Sequence, residues 1–136
     1  MLSPSVEVFL ASLKRCLAVP GFMDDFYGRF LGSSEEVREK FRDTDMKRQA
    51  QVLADSLYVV ANAVQGEEGS LARRDLPRIA ARHSRGDRDI RPGLYDVWIG
   101  CLLDTARVHD SQFGPEVERA WQEVLAFGAD CMRQRY

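Results

Sequence analysis

The stretch LPRIAARHSRGDRDIRPGLY, residues 76–95, decides how the rest of this 136-residue chain is interpreted. Four of its residues share one face of a helix, because they are spaced i, i+3, i+4 and i+7: Leu76, Ile79, Ala80 and His83. The predicted helix therefore ends with an imidazole on its apolar face. A polar loop follows, and Pro92 is suited to the first turn of a new helix.

The histidine at the end of this apolar face has two interpretations. An imidazole that points into an apolar pocket between two helices is suited to be the axial ligand of a haem iron. A histidine in the same place can also be an ordinary core residue that makes a local hydrogen bond. The segment alone leaves both interpretations open.

Composition limits the class of protein. With 45% hydrophobic and 29% charged residues, residues 1–136 are typical of one soluble globular domain. The net charge of −2 and the lack of a dense basic patch argue against a nucleic-acid partner. Cys16, Cys101 and Cys131 form no zinc-like spacing. Because no apolar run could span a membrane and the start resembles no signal peptide, we expect a cytoplasmic protein.

Helical periodicity runs through the whole chain. Ser33 with Glu36 predicts a capping box for a short third helix that ends near Phe41. The clearest amphipathic stripe runs from Met46 to Val64. No alternating pattern of strand length and no Gly-rich phosphate loop occurs. The sequence therefore predicts an all-α domain of about seven helices. We expect His109 to lie exposed in a polar turn, and acidic side chains to lie on solvated faces.

Four motifs follow one another along the chain. They are FYGRFL (residues 26–31) with Phe41 fourteen positions after Tyr27, the helix around Gln49 and Leu53, IAARH (79–83) with IRPGLY (90–95), and VERAWQEVL (117–125). In their order and spacing they resemble the globins, most closely bacterial single-domain globins and the globin part of flavohaemoglobins. The resemblance covers about residues 5–135 and implies a globin fold around a haem b pocket.

The resemblance also implies roles for particular residues. His83 is similar to the proximal histidine that ligates haem iron, and Phe41 to the phenylalanine that packs on the porphyrin. Tyr27 is similar to the distal tyrosine, whose O–H would donate a hydrogen bond to bound O₂. Gln49 resembles the distal polar residue, and Leu53 resembles the apolar residue beside it.

For two parts of the pocket, the resemblance leaves more than one assignment open. The link before the Gln49 helix is shorter than in flavohaemoglobins, so Gln51 or Arg48 could take the distal polar place instead. Ile90 and Tyr95 resemble residues that flank the proximal side of the haem. Trp98 would lie near the haem edge or would simply pack in the core.

Three features differ from flavohaemoglobins. The loop between His83 and Tyr95 is longer, and the glutamate that pairs with the proximal histidine would fall at about Tyr136. The chain also ends where a reductase domain would begin. NO detoxification would therefore need a separate reductase, and without one we expect a binding protein and no enzyme.

The resemblance implies reversible binding of O₂, NO or CO, for oxygen binding, storage or transport, or for NO detoxification with an external reductase. One alternative is a gas sensor that signals through a partner, with the last two helices as a homodimer face. Another is a regulatory globin-like module without haem.

Overall fold

The computed structural model describes residues 4–65 and 90–134, and within these ranges it contains six α-helices and no strand. They are α1 (Pro4–Leu17), α2 (Phe22–Leu31), α3 (Glu35–Lys40), α4 (Met46–Gln65), α5 (Gly93–His109) and α6 (Pro115–Gln134). The predicted all-α class is confirmed. The helix predicted to end at His83 lies outside the described residues and is not in this count. None of the six helices is long and apolar enough to cross a lipid bilayer.

The core forms where α1 packs on α6 and where α2 packs on α5. Trp121 of α6 is fully buried, and its ring meets the edge of Phe9 of α1 with 4.8 Å between the centroids. Helix α4 lies close to α6 at Gly128, where an added Cβ would be 3.0 Å from a methyl group of Val60. The missing side chain at this position therefore sets how closely the two helices approach.

The corner between α1 and α2 lies at Pro20-Gly21, a pair of residues that interrupts helices. Gly21 has a φ of 89°, in the left-handed region that residues with a side chain rarely adopt. Its carbonyl accepts the N–H of Asp25 at 2.9 Å, which begins the helix. Beyond this corner α2 turns Phe22, Phe26 and Tyr27 inward.

The start of α3 corrects the predicted capping box. Ser34, and not Ser33, is the N-cap, and its side-chain oxygen accepts the N–H of Val37 at 3.1 Å. The Ser33 hydroxyl instead donates to the carbonyl of Phe30 at the end of α2. The two adjacent serines allow two capping registers, and the burial of Val37 selects the second.

A buried polar network joins α1 to the turn between α5 and α6. Arg15 donates to both carboxylate oxygens of Asp110, at 2.6 and 2.9 Å, and Ser12 donates to one of them at 2.5 Å. The indole N–H of Trp121 donates to the Ser12 hydroxyl at 2.9 Å. Asp110 is only 4% exposed, so the prediction that acidic side chains lie on solvated faces is wrong for this residue. Protein donors take the place of water around its carboxylate.

The thiol of Cys16 is buried beside this network on α1. Burial raises its pKa to about 12, and the nearby Asp110 carboxylate acts in the same direction. Cys101 and Cys131 are half-buried. The three thiols therefore differ in their access to solvent.

His109 is the last residue of α5, and the prediction that it is exposed in a polar turn is wrong. Its Nε2 lies 2.8 Å from Oδ2 of Asp25 on α2, and its ring meets the edge of Phe22 at 5.8 Å. Only 20% of the side chain is exposed because it packs against α2. The contact ties the end of α5 to the start of α2.

Candidate functional site

Four aromatic rings from α2 and from the end of α3 lie together in the interior: Phe26, Tyr27, Phe30 and Phe41. The Tyr27 ring centroid is 4.8 Å from that of Phe26 and 6.0 Å from that of Phe41, both edge-on. Phe41 also meets the edge of Phe30 at 5.9 Å. The helical spacing of α2 places three of these rings on one side, and the short α3 brings Phe41 against them. The fold thus brings together Tyr27 and Phe41, which the sequence singles out.

The Tyr27 hydroxyl is the polar group of this aromatic cluster. The residue is 7% exposed, and its O–H donates to the main-chain carbonyl of Gln49 at 3.4 Å. A good hydroxyl hydrogen bond is roughly 2.5–3.0 Å long, so this bond is weak. Burial raises the pKa of Tyr27 to about 12, and hydrogen bonding with Gln49 opposes the rise. The phenol therefore keeps its proton at neutral pH, and its one O–H could turn from this weak bond to a better acceptor.

Helix α4 brings the Gln49 carbonyl against Tyr27 and carries Leu53 one turn further along. Leu53 is buried and Gln49 is half-buried. The two alternative distal residues lie on the solvent side, because Gln51 is exposed and donates to Asp55 at 3.0 Å, and Arg48 is exposed. Of the three candidates, Gln49 is therefore the one beside Tyr27. Sequence reasoning missed that the Tyr27 O–H contacts the main-chain carbonyl of this residue, which no side-chain pattern can indicate.

The residues assigned to the proximal side lie at the beginning of α5. Ile90 is half-buried just before the helix, Tyr95 is buried in its first turn, and Trp98 is half-buried about one turn further. Burial raises the pKa of Tyr95 to about 12, and the positive charge of Arg133 opposes the rise. His83, the predicted iron ligand, lies outside the described residues.

The chemistry of these residues fits a haem. A porphyrin needs apolar and aromatic walls, and a pocket for a diatomic gas needs few polar groups in dry surroundings. Among the described members of the set, Phe41, Leu53, Ile90 and Trp98 are the apolar and aromatic side chains that would supply such walls. Tyr27 supplies one uncharged donor with a long hydrogen bond.

The all-helical fold of the described residues is that of a globin. The family model for globins matches residues 24–131, which include α3, α4 and α5 and most of α2 and α6. The chain belongs to the globin family, whose members generally bind haem and diatomic gases. The resemblance inferred from the four motifs is confirmed.

Among solved structures, the chain is similar to protein PA3967 from Pseudomonas aeruginosa, described as structurally highly homologous to a human hemoglobin. The two share 36% sequence identity over 97% of this chain and 98% of that chain, with a TM-score of 0.91. No curated protein matches the chain. The chain thus has the same fold as a bacterial single-domain protein over nearly its whole length.

Proposed function

We propose that this globin holds a haem b and reversibly binds a diatomic gas, with His83 as the iron ligand. The observation that carries the proposal is the Tyr27 phenol, which is buried among aromatic rings and, within residues 4–65 and 90–134, makes only a long hydrogen bond to the Gln49 carbonyl. Such a donor has little use in a haem-free core. The haem would supply an iron with one open coordination position for O₂, NO or CO.

The apolar residues of the set would hold the porphyrin and keep water away. Phe41 would pack against the porphyrin on the side of α3, and Leu53 would cover the distal side from α4. Ile90 and Trp98 would contact the opposite side from the start of α5. Tyr95 would lie near His83 and help to orient its ring, because a neighbouring polar group fixes the tautomer of a ligating histidine.

Tyr27 would hold the gas through a hydrogen bond. Turning its O–H away from the Gln49 carbonyl costs little, because a bond of 3.4 Å is weak. A donor in dry surroundings favours a ligand that carries partial negative charge, which suits O₂ better than CO. The Gln49 side chain would serve as a second donor. With both donors in place, gas release would be slow.

This distal chemistry suits two tasks. One is O₂ binding or storage, and the other is NO detoxification with a separate reductase. A sensor that signals through a dimer of the last two helices has less support. Among the described residues the exposed large apolar side chains are Val52, Tyr58 and Val108, and only Val108 lies on those helices.

Absorption spectra of the purified protein and of its histidine variants test the proposal. The wild type should show a strong Soret band that shifts on reduction and again with O₂ and with CO. His83→Ala should lose haem retention or greatly weaken it, because the iron loses its protein ligand. His109→Ala is the matched control, since His109 is the other of the two histidines and pairs with Asp25.

Two outcomes would contradict the proposal. If the wild-type protein stays colourless after haem is added, the remaining interpretation is a regulatory globin-like module without haem. A His83→Ala variant with the normal five-coordinate ferrous spectrum would show that another residue ligates the iron.

A further inference from the structure

A bidentate ion pair joins Arg91 to Glu36, 55 residues away along the chain. The Nε of Arg91 lies 3.2 and 3.1 Å from the two carboxylate oxygens of Glu36, and Nη2 lies 2.9 Å from one of them. One edge of the guanidinium thus faces both carboxylate oxygens. This paired geometry makes an arginine–carboxylate interaction stronger and more specific than a single hydrogen bond. Both side chains are partly exposed, at 57% and 38%.

The two partners belong to segments that border the proposed haem pocket from different sides. Arg91 directly follows Ile90 and precedes α5. Glu36 lies on α3, and Phe41 is the residue that ends this helix. The ion pair therefore connects the segment of Ile90 to the segment of Phe41.

The glycine two positions after Arg91 makes room for its guanidinium. An added Cβ at Gly93 would lie 2.6 Å from Nη1 and 3.4 Å from Cζ of Arg91. The guanidinium thus rests against the bare backbone of Gly93. An alanine at this position would push the flexible end of Arg91 aside and leave Glu36 itself untouched.

Helix α3 needs such a tertiary contact. It has six residues, and a helix this short is not stable alone. Its anchors on the side of α2 are the buried Val37, the Ser34 cap, the Phe41 ring against Tyr27 and Phe30, and a hydrogen bond from Arg38 to the Leu31 carbonyl. A neighbouring acidic residue has a different partner, because Glu39 pairs with Arg42 within the same segment at 3.0 Å. Glu36, in contrast, reaches out of the segment to the start of α5.

We propose that the Arg91–Glu36 ion pair is a clamp that sets how long the protein retains its haem, with both residues as positioning residues. The inference rests on the proposed function. When the pair opens, the segments of Phe41 and Ile90 separate more readily, and the pocket opens toward solvent. Gly93 belongs to the clamp because it lets the guanidinium reach Glu36.

The experiment measures haem transfer from the intact protein to an excess of apomyoglobin at low salt. Glu36→Gln and Gly93→Ala should each lose haem roughly two- to fivefold faster than the wild type, the range for an exposed pair of good geometry. The double variant should be no faster than either single variant, because both changes break one interaction. Salt should speed haem loss in the wild type and should have little effect on the variants.

Glu39→Gln is the matched control, since it breaks an exposed ion pair within the same short segment. Its haem loss should equal that of the wild type. A second readout is amide hydrogen exchange across α3, which should be faster in Glu36→Gln and Gly93→Ala and unchanged in Glu39→Gln.

Two results would overturn the clamp, and they are distinguishable. If the wild type binds haem but Glu36→Gln and Gly93→Ala lose it no faster than Glu39→Gln, the ion pair has no role in retention. If the wild type takes up no haem at all, the proposed function fails and the clamp fails with it.

Discussion

Two regions of this globin differ in how fully their buried polar groups are hydrogen-bonded. Around Asp110, the carboxylate accepts hydrogen bonds from Arg15, Ser12 and the main-chain N–H of Gln112. Around Tyr27, a buried hydroxyl makes one bond of 3.4 Å. A satisfied network stabilises the native state, whereas a weakly bonded donor adds little to stability and can still take a ligand. The comparison suggests that stability and ligand binding depend on separate parts of the interior.

Removal of the Asp110 carboxylate should have the largest effect on folding. We expect Asp110→Ala to lower the free energy of unfolding by about 2–4 kcal/mol, because it leaves the buried Ser12 hydroxyl and the partly exposed Arg15 guanidinium without their acceptor. Urea unfolding followed by circular dichroism measures the change. Asp104→Ala is the control, since its exposed pair with Arg107 should contribute no more than about 0.5 kcal/mol. If the two variants lose the same amount of unfolding free energy, the Asp110 network does not stabilise the fold more than an exposed ion pair does.

Removal of the Tyr27 hydroxyl should leave folding nearly unchanged and should alter ligand binding. We expect Tyr27→Phe to release O₂ roughly tenfold faster, which corresponds to about 1.4 kcal/mol. Its free energy of unfolding should change by less than about 1 kcal/mol, because the lost bond is long. Stopped-flow O₂ release measures the first effect, with the exposed Tyr58→Phe as control. An unchanged release rate would show that another group, such as the Gln49 side chain, holds the gas.

Acid should weaken the Asp110 region and should leave the Tyr27 hydroxyl as it is. Burial raises the pKa of Asp110, but hydrogen bonds from Arg15, Ser12 and the Gln112 N–H outweigh it, so the pKa lies below its ordinary value of 3.8. The unfolded chain therefore binds the proton more tightly, and this stabilisation is present above pH ~4 and lost as the pH falls through the folded pKa. Tyr27, with a pKa of about 12, stays protonated throughout.

The measurement for this smaller effect is the free energy of unfolding between pH 6 and pH 3. It should fall more steeply in the wild type than in Asp110→Asn, whose side chain carries no titratable proton. Parallel curves for the two proteins would show that the acid sensitivity of the fold comes from other carboxylates, such as Asp25 beside His109.

The helices could be predicted from the sequence because their signals are local. Apolar spacing and the break at Pro20-Gly21 depend on neighbouring residues alone, and the described helices begin and end close to the predicted positions. The globin resemblance singled out Tyr27 and Phe41 as residues of one pocket, and their edge-on contact is known only from the structure. The role of His83 as iron ligand remains a prediction, as do the haem contacts of the other site residues.

The Asp110 network could not be predicted because its partners are distant in the sequence. Ser12 and Asp110 are separated by 98 residues, and Ser12 and Trp121 by 109. Nothing in the local pattern around an aspartate after a helix shows that a serine and an arginine from the first helix will cover it. The choice between Ser33 and Ser34 as cap failed for a different reason, since adjacent serines give the same local signal.

The burial of Cys16 has a consequence for how this protein can be studied. Thiol reagents attack the thiolate, and Cys16 combines complete burial with a pKa of about 12. In the native molecule it is therefore protected, whereas Cys101 and Cys131 are half-exposed. Modification of Cys16 requires the packing around α1 to open. Its labelling rate therefore counts spontaneous openings of the native core, and no probe has to be engineered into the chain.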